Sequence, residues 1–185
     1  MSTSHPKPAS TKVVIGPDVV FAYVHVSAPH ASLPGQEAKY SVQVRIPKSN
    51  AKALAKTNAG IDAATEAGKS LWGGKVPANL KTPLRDGDVE RPDDPSYKGF
   101  YFMNASSKSK PGVVDQALNE IIDPEEFYSG AIGSVSINFY PFSVSGNKGI
   151  GVGLNNIQKL KDGPRLSGRA RPEADFTAVD EAFLT

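Results

Sequence analysis

The 185-residue chain carries 21 Lys and Arg against 19 Asp and Glu, and it has no cysteine. The length suits one domain with embellishments, and the lack of cysteine excludes disulfides, cysteine-ligated zinc sites and thiol nucleophiles. No apolar run approaches the roughly 20 residues that a membrane-spanning helix needs, so we expect no membrane partner.

The first half of the chain predicts two strands followed by a helix. Residues 1–10 have the composition of a flexible arm. Residues 11–28 have the alternating pattern of a strand, which a turn at 16–18 divides. After a loop at 29–38, residues 40–46 have the pattern of a half-buried strand. In the first strand, Tyr23 and His25 are expected on the same face as Phe21. A helix is predicted from a cap at residue 49 or 50 to about residue 67, with Gly68 as its stop.

The second half predicts a long irregular segment and three more strands. Residues 68–96 are rich in Gly, Pro, Lys and Asp, and an irregular stretch of this length is usually functional or disordered. Strand patterns occupy 99–105, 130–144 and 150–161. Short helical or turn segments are expected at 113–122 and 124–127, and a hairpin turn at 145–149. The folded domain should end near residue 166, which leaves 167–185 as a disordered tail.

Five strands with one helix after the second or third strand predict an all-β fold with a minor inserted helix. The small five-stranded Greek-key barrel called the OB fold has this make-up, and it is a common nucleic-acid-binding architecture. With its long loops it would occupy residues 11–166. The strand count equally allows a jelly roll or a sandwich.

The candidate catalytic groups do not form a recognisable site. His25 and His30 are five residues apart, which fits no standard zinc motif, and His5 lies in the predicted arm. Five acidic residues between positions 86 and 94 could bind Mg²⁺ or act as acid and base. They are interleaved with two arginines among Gly and Pro, which favours a solvated loop. The sequence therefore predicts no enzyme, no metal site and no cofactor.

A surface for single-stranded nucleic acid is the stronger hypothesis, because such binding needs cations for phosphates and aromatic faces for bases. In a regular strand, Lys98, Phe100 and Phe102 share one face, although both rings could instead be core. Trp72 is either a base platform or an anchor in the barrel wall. The predicted DNA-binding residues are Tyr23, Arg45, Lys48, Trp72, Lys75, Lys81, Arg85, Lys98, Phe100, Tyr101, Phe102, Lys108, Lys110, Tyr140, Phe142 and Lys148.

Charge separates the C-terminal end from the rest of the chain. Residues 172–185 carry four carboxylates and no Lys or Arg, so all 21 basic and 15 of the 19 acidic side chains precede them, a formal charge of +6. An acidic tail on a basic body suggests a protein that handles a polyanion and carries its own competitor. The tail's aromatic residues also suit a docking peptide. The predicted partner-binding residues are Asp175, Phe176, Asp180, Glu181 and Phe183.

Several phrases of the chain resemble a group of bacteriophage proteins. The phrases are KTPLRDGD, FYSG and GVGLNNIQKLKDG, and the resemblance covers about residues 10–170. The group, long filed as a domain of unknown function, is associated with phage single-stranded DNA-binding proteins of OB fold. The resemblance implies a protein of the infected bacterium's cytoplasm that coats single strands during phage DNA replication, recombination or repair. It also implies an acidic tail with an aromatic, which Asp180, Glu181 and Phe183 match.

The resulting hypothesis is a nonspecific single-stranded DNA-binding protein without catalytic activity. We expect its tail to compete with DNA and to recruit replication proteins such as DNA polymerase or helicase. Removal of the tail is expected to admit double-stranded DNA, and a homo-oligomer is compatible with the sequence. Two alternatives remain open here. One is a structural or interaction protein of a phage particle, and the other is a metal-dependent enzyme that uses the acidic cluster between Asp86 and Asp94.

Overall fold

Seven strands and two helices make up the regular structure of the described residues, which are 10–166 and 178–179 of a computed structural model. The strands are β1 (Lys12–His30), β2 (Lys39–Pro47), β3 (Arg85–Asp86), β4 (Phe100–Ser107), β5 (Gly112–Val114), β6 (Ile132–Val144) and β7 (Asn147–Lys161). The helices are α1 (Ala51–Gly68) and the single turn α2 (Gly87–Glu90), and a 3₁₀ turn spans Pro95–Tyr97.

Five of the strands close into a barrel. The sheet order is β3-β4-β2-β1-β6-β7-β5, and a further parallel pairing between Ser106 of β4 and Gly153 of β7 joins its two sides. β1, β2 and β4 form an antiparallel meander, and β6 pairs with both β1 and β7. This connectivity is that of the OB fold. The predicted fold is confirmed, and closure of the barrel rules out the jelly roll and the sandwich.

The barrel interior is filled by alternate residues of its strands. Side chains with essentially no exposure include Phe21 from β1, Val44 from β2, Met103 from β4 and Ile137 from β6. Because successive residues of a strand point to opposite faces, the residues between these buried positions face the outside of the barrel.

Helix α1 packs against β1 and β6 and confirms the helix prediction. The Asn50 side chain accepts a hydrogen bond from the amide of Ala53 at 3.0 Å, and the helix ends at Gly68. Gly60, an unfavourable residue inside a helix, is explained by packing. A Cβ there would lie 2.6 Å from the Phe139 ring, so glycine lets the helix approach the barrel closely.

Strand β1 is one continuous strand, so the predicted turn at 16–18 is wrong. The pairing with β6 passes from Ile15 opposite Val135 to Val19 opposite Gly133, which leaves two additional residues of β1 as a bulge. A second irregularity falls at Tyr23, whose φ is 46°. It shifts the alternation, because Phe21 is buried in the barrel whereas Tyr23 is exposed. The prediction that these two residues share a face is therefore also wrong.

Two further predictions concern the ends of the domain and the segment before β6. Of the two predicted helical or turn segments, 113–122 begins with the last two residues of strand β5 and then contains a turn, and 124–127 is a turn. The predicted arm and tail lie outside the described residues, except for residues 10 and 178–179, so those boundaries stay predictions. Across the described ranges, no helix has both the length and the apolar character required to cross a membrane.

Candidate nucleic-acid interface

The outer face of β1, β2 and β4 brings several predicted residues together. Directly opposite residues of antiparallel strands point to the same face of a sheet. Arg45 of β2 lies opposite Phe102 of β4, which in turn lies opposite Arg85 of β3. Two neighbouring rows consist of Ala22, Gln43 and Asn104, and of His25, Ser41 and Ser106.

The row that contains Arg45 is covered by the segment between α2 and β4. The Arg45 side chain donates from Nε to Gln43 Oε1 at 2.8 Å, and from Nη1 to the carbonyl and hydroxyl oxygens of Ser96 at 3.1 and 3.0 Å. Its guanidinium lies 3.8 Å from the centre of the Tyr97 ring, which meets Phe102 edge to face. Arg45 and Phe102 are only 2% and 1% exposed. They form a small second core outside the barrel.

An open groove of about 420 Å³ lies beside this covered row on the same face. Tyr23 lines it with 57% of its surface exposed. The imidazole rings of His25 and His30 stack in it with their centres 4.0 Å apart. Arg91 supplies a cation. The other polar lining residues are Ser32, Ser41, Gln43, Tyr97 and Asn104.

The electrostatics of the groove favour an anionic ligand. Tyr23 donates a hydrogen bond to Tyr97, which raises the pKa of Tyr23 above its ordinary value. Burial alone would raise the pKa of Tyr97, but hydrogen bonds from Gln43 and Tyr23 and the charge of Arg45 outweigh it, and the pKa is lowered. In the described part of the chain, no Asp or Glu lines the groove. A phosphate there would meet a guanidinium and polar donors, and a base could stack on the exposed phenol ring.

The β6–β7 hairpin holds a second set of predicted residues. The backbone of Lys81 pairs with the hairpin, donating to the carbonyl of Lys148 at 3.0 Å, and its Nζ donates to Asn147 at 2.9 Å. Two glycines of β7 make room for aromatic rings of β6. A Cβ added at Gly149 would overlap the Phe142 ring, and a Cβ added at Gly151 would overlap the Tyr140 ring. This close approach explains Gly149 and Gly151, the first two glycines of the sequence GIGVGL.

Trp72 is a structural anchor beside the same hairpin. It is 7% exposed, its ring packs against Gly68 of α1, and its Nε1 donates to the carbonyl of Phe142 at 3.1 Å. It thereby ties the long segment after α1 to the hairpin. Of the two predicted roles for Trp72, the structure supports the anchor.

The acidic cluster between Asp86 and Asp94 has structural partners. Lys48 Nζ lies 2.6 Å from Asp86 and 2.8 Å from Asp88, and these contacts lower the pKa of both carboxyl groups. Asp94 accepts from the amide and hydroxyl of Ser96 and thus caps the 3₁₀ turn. Within the described residues, no group of three or more His, Asp or Glu side chains could hold a metal ion. The arrangement gives the enzyme alternative no site.

The predicted DNA-binding residues differ in exposure. Those that are exposed are Tyr23, Lys75, Lys81, Arg85, Lys98, Lys108, Lys110 and Tyr140. Those that are half-buried are Lys48, Phe100, Tyr101, Phe142 and Lys148. The buried ones are Arg45, Trp72 and Phe102. Direct contact needs an accessible ring or cation, so the buried three do not fit their predicted role, and Lys48 is already held by two carboxylates. Lying outside the described residues are Asp175, Phe176, Asp180, Glu181 and Phe183.

Of the ten described residues that line the groove, Tyr23 alone belonged to the predicted site, and the nine others include His25, His30, Arg91 and Tyr97. The run Asp94-Pro95-Ser96 was the available indication for Tyr97, because Asp before Pro is typical of the start of a helical turn. The two histidines meet only because β1 bulges, and regular alternation cannot predict that.

Comparison with known proteins identifies the family. The family described as "Enterobacter phage Enc34, ssDNA-binding protein" matches residues 11–184. The chain belongs to this phage family. A curated relative, protein p50 of Acyrthosiphon pisum secondary endosymbiont phage 1, is 30% identical over 145 residues, which are 72% of this chain and 76% of the relative. The family consists of single-stranded DNA-binding proteins, which are not enzymes, and this confirms the predicted lack of enzymatic activity.

Solved structures agree with this family. The single-stranded DNA-binding protein of bacteriophage Enc34, solved in complex with ssDNA, is 24% identical, with a TM-score of 0.74 over 89% of this chain and 97% of that one. Its C-terminal truncation is 25% identical, with a TM-score of 0.71 over 84% and 88%. Gp2.5, the single-stranded DNA-binding protein of bacteriophage T7, shares the fold at 13% identity, with a TM-score of 0.56 over 90% and 94%.

Proposed function

We propose that this protein binds single-stranded DNA without sequence preference through the groove on the outer face of β1, β2 and β4. It acts in phage DNA replication, recombination or repair inside the infected bacterium. The observation that carries the proposal is the position of the groove in a member of this family. β2 and β4 are the second and third barrel strands, and in OB folds that face is the one that binds oligonucleotides.

The groove supplies both kinds of contact that such binding requires. Tyr23 offers an exposed ring on which a base can stack, and stacking is sequence-tolerant because every base has a π-face. Arg91 offers a guanidinium for a phosphate, and Asn104 adds an exposed amide group. The exposed cations of the predicted site, such as Lys98 and Arg85, extend the path for the backbone beyond the groove.

The acidic C-terminal tail is part of the proposal as a tethered competitor. Its four carboxylates would occupy the cationic surface in the absence of DNA, and displacement by DNA would release it for a replication partner. The same competition would exclude double-stranded DNA from the full-length protein. Several copies bound along one strand would show as cooperative binding isotherms.

Titration of a fluorescently labelled oligo-dT tests the proposal. Binding should be tight at about 50 mM NaCl and much weaker at about 300 mM, because phosphate contacts release counterions. A duplex of the same length should bind more weakly than the single strand. Absence of binding at the lower salt concentration would contradict the proposal.

A further inference from the structure

His25 and His30 are held together at one wall of the groove by an irregularity of β1. His25 pairs with Ser41 and His30 pairs with Lys39, so five steps along β1 correspond to only two along β2. The three additional residues bulge outward, and the two imidazole rings stack at 4.0 Å with an angle of 8° between their planes. His25 is half-buried and His30 is exposed.

The surroundings of the pair contain cations and neutral groups. From the strands come Tyr23 of β1, Lys39 and Gln43 of β2 with Arg45 beneath them, and Asn104 of β4. The segment before β4 adds Arg91 and Tyr97. Two carboxylates lie near but have other partners: Asp94 bonds to Ser96, and Glu37 of the β1–β2 loop pairs with Lys108 at 3.5 Å. No carboxylate among the described residues lines the groove, so a protonated ring would lack an anionic partner there until a ligand brings one.

Charge on the His25 ring is therefore unfavourable in the free protein. Burial, and next the neighbouring His30, lower the pKa of His25 from its ordinary 6.5. Two protonated rings 4.0 Å apart would repel each other strongly. The pair can consequently accept one proton far more readily than two, and at neutral pH His25 is mostly neutral.

We propose that the His25–His30 pair binds a phosphate of single-stranded DNA and takes up a proton from solvent when it does so. The phosphate supplies the negative charge that the groove lacks, and the imidazolium donates a hydrogen bond to it. This inference rests on the proposed function, and it adds two binding residues and a pH dependence to the groove.

The sign of the pH dependence follows from linkage. The bound state holds the proton more tightly than the free state, so the proton-linked gain in affinity is largest at low pH and is lost as pH rises through the pKa of His25 in the complex. A rise of about one pKa unit on binding corresponds to a gain of about tenfold in affinity. We therefore expect Kd for oligo-dT to be several-fold lower near pH 6 than near pH 8, and the full difference of about tenfold is reached only below the pKa of His25 in the free protein.

The experiment is a series of oligo-dT titrations at about pH 6, 7 and 8 and constant ionic strength. His25→Gln and His30→Gln should each flatten the pH profile. His5→Gln is the matched control, because it removes the third histidine of the chain and should leave the profile unchanged. Calorimetric titration of the wild type near pH 7, in two buffers of different ionisation enthalpy, should show uptake of up to about one proton per groove.

The outcomes separate this inference from the proposed function. Tight binding with a flat pH profile and no proton uptake overturns the inference and leaves the proposed function intact, whereas no binding at any pH overturns both. If the pH dependence of Kd persists in a variant that carries both His25→Gln and His30→Gln, the inference is also overturned. If that variant fails to fold, NMR titration of the wild-type imidazole protons decides, since the pKa of His25 must rise when oligo-dT is bound.

Discussion

In the groove, Tyr23 stands 57% exposed, while Arg91 and the stacked histidines line open space. At the β6–β7 hairpin, the ring of Phe142 packs so closely on Gly149 that a Cβ there would lie 2.8 Å from it, and the Lys81 ammonium donates to Asn147. Both regions combine aromatic and basic residues, and the sequence predicted Tyr23 in the groove and Tyr140 at the hairpin as DNA-binding residues alike. In the groove these groups are available to a ligand, whereas at the hairpin the protein itself already uses most of them.

The difference shows that residue type is a weak guide to a single-strand-binding surface. Aromatic and basic side chains also anchor long loops, because a ring buries much apolar surface and a lysine can bridge to neighbouring backbone or amides. A binding surface differs in that its polar and aromatic groups stay exposed after the protein has folded. The following variants test whether the two regions differ in this way.

The largest expected effect is on stability, from Trp72→Ala. Removal of this buried ring and of its hydrogen bond to Phe142 should lower the free energy of unfolding by about 3–5 kcal/mol. Affinity for oligo-dT, measured below the melting transition, should change little. Trp72→Phe should be milder, because it keeps a ring and loses the N–H donor. Lower affinity at unchanged stability would instead make the hairpin side a binding surface.

Tyr23→Ala should have the next largest effect, this time on binding. Stacking contributes about 1–3 kcal/mol per base, so Kd for oligo-dT should rise about 5-fold to 150-fold. Stability should fall little, since the side chain is exposed. Tyr140→Ala is the matched variant at the hairpin and should change Kd by about twofold or less. Tyr23→Phe keeps the ring and should retain most of the affinity. Equal losses for Tyr23→Ala and Tyr140→Ala would remove the contrast between the regions.

Arg91→Gln should change the salt dependence of binding. Each phosphate contact on a single strand adds about 0.7 to the slope of log K against log salt, so the slope should become shallower by about 0.7. Lys56→Gln makes the same charge change on an exposed position of α1, which lines no part of the groove, and should keep the wild-type slope. An unchanged slope in Arg91→Gln would mean that this guanidinium contacts no phosphate.

Strand alternation separated the two faces of β2 and β4 but could not predict what covers the outer face. Val44 and Met103 face the barrel interior. Arg45 faces outward as expected, yet it is buried because Ser96, 51 residues away, folds over it. A period of two tells which face a residue occupies, and it carries no information about a distant segment that covers that face.

The groove itself depends on departures from regular structure. Tyr23 leaves the pattern of β1 through a positive φ, and the two histidines meet through a bulge. Neither has a local sequence signature as specific as the Asn50 cap of α1, which was predicted correctly. Regular elements were therefore predictable from local pattern, whereas the candidate site arose where that pattern breaks, as is common for functional sites.

Removal of residues 171–185 tests the tail against the groove. The four carboxylates that it removes are few, so we expect affinity for oligo-dT to rise by only about twofold to tenfold, with the gain shrinking as salt increases. A full-length variant with Asp180→Asn and Glu181→Gln separates charge from length and should show part of the gain. Unchanged affinity in both would leave the tail with a docking role alone.

The smallest expected effect comes from Asp86→Asn, which tests the structural role of the acidic cluster. The hydrogen bond from Lys48 lowers the pKa of Asp86, so the folded state binds a proton at this site less readily than the unfolded state. Its contribution to stability is present above the ordinary carboxyl pKa of about 4 and is lost as pH falls through the lowered value. A small decrease in Tm is therefore expected near pH 7, and it should shrink as pH falls below about 4.

The matching variant Asp93→Asn should have no such pH-dependent effect if the contact with Lys48 is the cause. Addition of Mg²⁺ should raise Tm in neither the wild type nor Asp86→Asn, because a ligand that binds only the folded state must stabilise it. A Mg²⁺-dependent rise in the wild type that Asp86→Asn abolishes would revive the metal site. In that case the Lys48 ammonium would occupy the position of a metal ion. Asp86 would then be available to a ligand, as the side chains of the groove are.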